Sequence, residues 1–228
     1  MNAMILAAGL GKRMRPLTLT KPKPLLTVAG KPLIQYHVER LAKAGVERII
    51  INHAWLGEQI EAFLGKGERF GVEILYSREV EPLETAGGIR NALDFLQLGN
   101  DSTFLLVNGD VFTNYPFARL LGGRDEPCLV LVNNPEHNPG GDFALVGDAL
   151  VPEGKDCFTF SGISRLPLEM FAALEVDKVM PLAPLLRHAI ACGGVKGELY
   201  QGYWADIGTP ERLAEVNQLV EEQKINGL

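Results

Sequence analysis

The sequence predicts an α/β fold: a doubly wound, mostly parallel sheet of Rossmann-like type carrying a small second lobe. Three features carry that expectation. The chain opens on a continuous apolar run, Ala3 to Ala8, as a strand buried on both faces requires. Such runs then alternate with helical stripes as far as Val132, the rhythm of right-handed βαβ crossovers. Beyond residue 134 the rhythm gives way to a Pro/Gly/Asn-rich stretch, Asn133 to Asp142, and to short strands.

Each element has its own signal. Gly9-Leu10-Gly11 follows the first strand at once, so a glycine loop leaves its carboxyl end. Ile34, Val38, Leu41 and Ala42 form the stripe of an amphipathic helix that Gly45 is placed to end. Val46 to Ile51 reads as the second strand. Leu56, Ile60, Phe63 and Leu64 stripe a second helix closed by Gly65, and Val72 to Tyr76 gives a third strand. Ile89, Ala92, Leu93 and Leu96 mark one third helix. Thr103 to Val107 forms a fourth buried strand ending in Asn108-Gly109-Asp110, and Cys128 to Val132 a fifth. Phe143 to Val146 and Phe158 to Ser164 are the short strands of the second lobe. Thr209 and Pro210 supply an N-cap and a first-turn proline for a last helix striped by Leu213, Val216 and Val220. The whole is expected to be one domain, 1–228, with its first half at 1–133 and the lobe and last helix at 134–228. Ligands in such sheets bind beyond the carboxyl ends of the strands, where the glycine loop and Asp110 both fall.

Composition narrows the partners. The 228 residues carry a net charge of −6, but there is no acidic residue from Met1 to Val38, where Lys12, Arg13, Arg15, Lys21, Lys23 and Lys31 stand. An acidic protein does not coat nucleic acid or anionic lipid, whereas a small polyanion needs only one local basic pocket. Apolar runs are too short for a membrane span, and the first residues read as a strand rather than a signal peptide, so the cytoplasm is the expected compartment. Cys128, Cys157 and Cys192 lack disulfide or zinc spacing and are expected to be buried free thiols. His37 and His188 fall in helices, His53 after a strand and His137 in a loop. None has a Ser or Cys partner at a recognisable spacing, so each is expected to be structural or solvated.

The loop is neither a Walker A motif, since Arg13 stands where Ser or Thr is needed, nor a dinucleotide fingerprint, since Met14 stands at the third glycine. What remains is a backbone that can approach a phosphate at Gly9 and Gly11, followed by cations that can neutralise it. Leu6-Ala7-Ala8-Gly9-Leu10-Gly11-Lys12-Arg13-Met14-Arg15-Pro16-Leu17-Thr18, with Pro22-Lys23-Pro24-Leu25-Leu26 and Gly30-Lys31-Pro32, resembles the signature of sugar-1-phosphate nucleotidyltransferases.

The resemblance implies the nucleotide-diphospho-sugar transferase type of fold, with Gly9, Gly11, Lys12, Arg13 and Lys23 around a nucleoside triphosphate. It implies that Asp110 and Asp206 bind Mg²⁺, which prefers carboxylate and phosphate oxygens. Arg13, Lys23, Asp110 and Asp206 then form the catalytic set. Leu83-Glu84-Thr85-Ala86-Gly87-Gly88 is similar to the family's nucleobase loop, with Thr85 and Gly88 at the base; Thr85 reads equally well as a helix N-cap. Asn108, Asp142 and Gly162 match positions near the sugar, although Asp142 after Gly140-Gly141 also reads as an ordinary turn residue.

One departure stands out. No Glu-Lys-Pro segment, whose lysine meets the sugar phosphate in many long members, occurs between residues 140 and 165; Lys155 is a candidate substitute without support. The chain in this respect resembles the short MurNAc-1-phosphate uridylyltransferases, and no acetyltransferase β-helix is expected after Leu228. The implied reaction is attack of a sugar 1-phosphate, N-acetylmuramic acid 1-phosphate first, on the α-phosphorus of UTP, releasing pyrophosphate during cell-wall recycling. Mannose- or heptose-1-phosphate with GTP, or glucose-1-phosphate with dTTP, keeps the same chemistry. A non-catalytic nucleotide sensor is the alternative of another class, marked by loss of a metal aspartate or signature cation, and all four are present.

Overall fold

The computed structural model describes residues 1–122 and 126–225. Its strands, in chain order, are β1 (Ala3–Leu6), β2 (Thr27–Val28), β3 (Lys31–Pro32), β4 (Arg48–His53), β5 (Glu73–Arg78), β6 (Thr103–Asn108), β7 (Val111–Thr113), β8 (Cys128–Val132), β9 (Phe143–Val146), β10 (Ala149–Val151), β11 (Cys157–Pro167), β12 (Lys196–Leu199) and β13 (Trp204–Asp206). The helices are α1 (Leu33–Ala44), α2 (Gly57–Leu64), α3 (Glu84–Asn91), α4 (Leu93–Leu96), α5 (Ala118–Leu121), α6 (Glu169–Ala172), α7 (Leu182–Ala191) and α8 (Pro210–Glu221).

One nine-stranded sheet runs β5-β4-β1-β6-β11-β8-β12-β10-β9. Its first four strands are parallel, and the strand order reverses between β1 and β6, which opens a crevice there. From β11 onward the sheet is mixed, because β11 returns antiparallel between β6 and β8 without a helical crossover. The expectation of a mostly parallel sheet therefore describes the first half. Strands β9 to β12 of the second lobe do not form a separate layer but extend the same sheet, whereas β13 pairs with β7 in a two-stranded sheet of its own.

The helical stripes bury where their periodicity directs them. Ile34, Val38 and Leu41 of α1 and Ile60 and Leu64 of α2 cover one face with Ile5, Ile49 and Ile51. Ile89, Leu93 and Leu96, with Leu186 and Ile190 of α7, cover the other with Met4, Ile50 and Leu106. A third cluster joins Met14, Leu26 and Phe112 to Ile207, Leu213 and Val216, pinning α8 under the glycine-loop segment. Thr209 caps α8 as expected, accepting from the Arg212 amide.

Two expectations change in detail. The third helix is two helices, interrupted at Ala92, whose stripe residues nonetheless stay buried. The cysteines are free, but Cys192 is exposed and Cys128 and Cys157 only half-buried, because each sits at an element end rather than in a stripe. No helix among the described residues is long and apolar enough to cross a membrane.

Candidate active site

The crevice between β1 and β6 is a cavity of about 430 Å³, built almost entirely from strand ends. Gly9, Gly11, Lys12 and Arg13 come from the loop after β1, Asn52 from β4, Asn108 and Asp110 from the end of β6, and Gly208 from just beyond β13. Thr18 folds the loop back on itself, its hydroxyl donating to the Gly11 carbonyl at 2.8 Å. Of the six early cations, Lys12, Arg13 and Lys23 line this cavity. Lys31 instead pairs with Glu39 at 2.7 Å and lies over the Tyr36 ring, so it braces α1.

Long-range strand pairing brings the backbones of the two aspartates side by side, with Asp110 on the wall of this cavity and Asp206 on the wall of a separate one that His137 and Arg212 also line. β13 runs antiparallel to β7 with Asp206 opposite Val111, and the Ile207 amide donates to the Asp110 carbonyl at 2.8 Å. Lys23 Nζ reaches Asp110 Oδ2 at 2.6 Å, half-shielded from solvent. Asp206 accepts from Arg212 Nη1 at 2.5 Å and stands 3.0 Å from His137 Nε2. Arg212 and His137 had no signal of this role in sequence; His137 reaches the carboxylate because the loop after β8 folds over β13.

The donor set is suited to a hard divalent cation. Two carboxylates, one held by Lys23 and the other by Arg212 and His137, leave remaining positions for phosphate oxygens and water, as Mg²⁺ prefers. No group of three or more His, Cys, Asp or Glu converges among the described residues, so the protein by itself makes no closed cage.

The loop expected to meet the nucleobase enters the same cavity through Pro82, Glu84 and Thr85. α3 starts at Glu84 with Leu83 as N-cap and no side-chain cap, which removes the N-cap reading of Thr85 and leaves its side chain in the first turn at the cavity wall. Glu84 is itself left-handed, φ 58°. Gly88 does not line the cavity. It lies against a buried relay in which Asn52 accepts from the Ala7 amide at 3.0 Å and donates to Glu79 at 2.6 Å, while Glu79 accepts from the Leu83 amide at 2.9 Å. A Cβ at Gly88 would stand 2.7 Å from both Asn52 and Glu79, so its place is to make room for this relay. Burial pushes the Glu79 carboxyl above its ordinary range. Asn52 and Glu79 join the glycine loop to the nucleobase loop, and sequence reasoning missed both.

A second cavity of about 420 Å³ shares Glu84, Thr85 and Asn108 with the first. Asp142 lines it, and also braces the lobe by accepting from the Phe160 amide at 2.8 Å and from Asn138 at 3.1 Å. Gly162 lines neither cavity; it sits at the bulge of β11 with φ 78°, where a Cβ would come within 2.5 Å of Asn108 Nδ2. Lys155 is exposed and absent from both walls, and the cation of the second cavity is Arg187 of α7.

Known proteins resemble this chain in sequence and in shape. The nucleotidyl transferase family matches residues 2–126. The chain is 51% identical to N-acetylmuramate alpha-1-phosphate uridylyltransferase of Neisseria meningitidis serogroup B, over 96% of this chain and 98% of that one. It is 33% identical to the mannose-1-phosphate guanylyltransferase catalytic subunit beta of Danio rerio, over 92% of this chain and 62% of that protein. Among solved structures, a Bacillus anthracis protein in complex with sucrose superposes with a TM-score of 0.86 at 20% identity, covering 97% and 96% of the two chains. HddC from Yersinia pseudotuberculosis complexed with GMP-PN gives 0.77 at 24% identity, covering 96% and 99%.

Proposed function

The chain belongs to the nucleotidyl transferase family, and on that premise we propose that it transfers the uridylyl group of UTP to N-acetylmuramic acid 1-phosphate, giving UDP-MurNAc and pyrophosphate. The observation that carries this reading is the pair of joined cavities. One is lined by the glycine loop, Arg13, Lys23 and Asp110, and the other by Asp142 and apolar side chains, with Glu84, Thr85 and Asn108 common to both. A triphosphate in the first and a sugar in the second meet at Asn108. The identity to the Neisseria meningitidis enzyme supports the choice of substrates.

The acceptor phosphate, with a second pKa near 6, is already largely a dianion at neutral pH and needs no protein base to become a nucleophile. The task left to the chain is to hold two anions in line and offset their repulsion. Gly9 and Gly11 let backbone amides approach the phosphates, Arg13 and Lys12 offset charge on the β- and γ-groups, and Lys23 faces the transferred phosphate. Thr85 meets the base edge, and Gly88 supports that loop through Asn52 and Glu79. Asn108 and Asp142 orient the sugar, with Gly162 keeping Asn108 in place. Asp110 and Asp206 would hold Mg²⁺, which when bound supplies further charge neutralisation at the reacting phosphates.

Pyrophosphate release should occur with UTP, N-acetylmuramic acid 1-phosphate and Mg²⁺ together, and stop when EDTA is added. A matrix of four nucleoside triphosphates against several sugar 1-phosphates tests the substrates. A preference for GTP with mannose 1-phosphate would replace this reading with the one favoured by the 33% identical relative. No turnover with any pair would overturn it.

A further inference from the structure

We propose that Arg187 recognises a carboxylate carried by the acceptor sugar, so that α7 selects a 3-O-lactyl sugar over its plain N-acetyl counterpart. The inference rests on the uridylyltransferase reading above and names what would make the second cavity specific.

Among the described residues, Arg187 is the only basic side chain on the wall of that cavity. It ion-pairs with no carboxylate among the described residues; its guanidinium instead lies over the Phe143 ring, 5.7 Å from the centroid. The two acids nearby do not neutralise it. Asp142 spends its oxygens on Asn138 and the Phe160 amide. Glu84 stands at the mouth shared with the nucleotide cavity. α7 is anchored by buried Leu182, Leu186 and Ile190, so the base of the side chain is fixed while its head stays exposed. A long helical side chain leans toward the N-terminus of its helix, over the residue four positions earlier. That residue is Ala183, which also lines the cavity and leaves the space beside the guanidinium clear. A planar cation resting on an aromatic ring, with free donors facing a half-apolar cavity, is suited to a carboxylate.

The position also separates the two anions of such a sugar. Lys23 and Asp110 line only the first cavity and Arg187 only the second. The reacting phosphate must stand with the nucleotide's α-phosphate, so the group that meets Arg187 lies on the far side of the ring. The lactyl ether of N-acetylmuramic acid supplies a carboxylate there, and its single methyl group suits the apolar wall of Phe143, Phe160 and Leu186.

The test compares N-acetylmuramic acid 1-phosphate with N-acetylglucosamine 1-phosphate, which has the same phosphate and no carboxylate, in the wild type and in R187M and R187K. The wild type should prefer the lactyl sugar. In R187M, kcat/KM for that sugar should fall about ten- to hundredfold, mostly through KM, and the preference over the plain sugar should collapse. R187K should recover part of it. Equal losses on both acceptors would show that Arg187 reads the phosphate, and an unchanged ratio would show that it reads nothing; either overturns the proposal. A wild type that does not use the lactyl sugar overturns the substrate reading and this inference together. Because Arg187 is exposed, a thermal melt of R187M should match the wild type, which separates lost recognition from lost fold.

Discussion

At the scale of single residues, two side chains stand in environments that their chemistry resists. Glu84 holds a left-handed backbone at the junction of both cavities, a conformation that disfavours any residue with a Cβ by about 1–2 kcal/mol. Such strain persists where the side chain serves the site. Glu84→Gly should raise stability by about 1 kcal/mol in urea unfolding while lowering kcat/KM. A variant that is no more stable, or as active as the wild type, would contradict this. His37 is buried in α1, and burial, with Arg40 nearby, lowers its pKa from 6.5 to about 4. The unfolded chain therefore takes up this proton first, and stability falls as pH drops from 6.5 toward 4, by about 3 kcal/mol in total. Urea unfolding across that range should show the slope, and His37→Gln should flatten it. An identical pH dependence in the variant would assign the effect elsewhere. The positive φ of Glu84 carries no compositional mark, whereas the place of His37 was legible: Ile34, His37, Val38 and Leu41 stand at i, i+3, i+4 and i+7 on one helix face, and only its lowered pKa needed the structure.

At the scale of elements, β6 and β11 are matched through one missing side chain. Gly162 turns the bulge of β11 with a positive φ and lies where Asn108, at the end of β6, needs the space. Gly162→Ala combines backbone strain with a displaced Asn108, and should cost about 2 kcal/mol or more and lower kcat/KM. A chemical denaturation midpoint and a steady-state assay on the same preparation check both parts; normal stability with normal activity would refute the coupling. Sequence patterns located β1, β8 and β9 and the caps of α1 and α8 closely, because hydrophobic period and turn chemistry are local. They were silent on the β7–β13 pair and on the Asn52–Glu79 relay. These join positions 27 to about 100 residues apart, and periodicity reports which face is buried, not which partner buries it. The glycine loop and Lys23 were legible for the opposite reason: their residues lie close in the chain, and their types fit one chemistry.

At the scale of the whole molecule, charge is sorted. An acidic scaffold surrounds one basic cavity, where Lys12, Arg13 and Lys23 face the crevice, Lys23 also pairing with Asp110, while Asp206 pairs with Arg212. Attraction of a triphosphate to this cavity is therefore local and open to screening. Raising salt from about 50 to 500 mM should increase KM for UTP several-fold with a smaller effect on kcat, read in initial-rate series. A KM indifferent to salt would mean that contact geometry, not field, captures the nucleotide. The β7–β13 pairing has a consequence for how the site is held together. Every strand of the nine-stranded sheet precedes Asp206 in the chain, so the sheet, the glycine loop and the Lys23–Asp110 pair are all built from residues ahead of the second carboxylate. The second carboxylate joins the site only through the pairing of β13 with β7, so loosening that short two-stranded sheet would detach Asp206 while leaving the nine-stranded sheet whole.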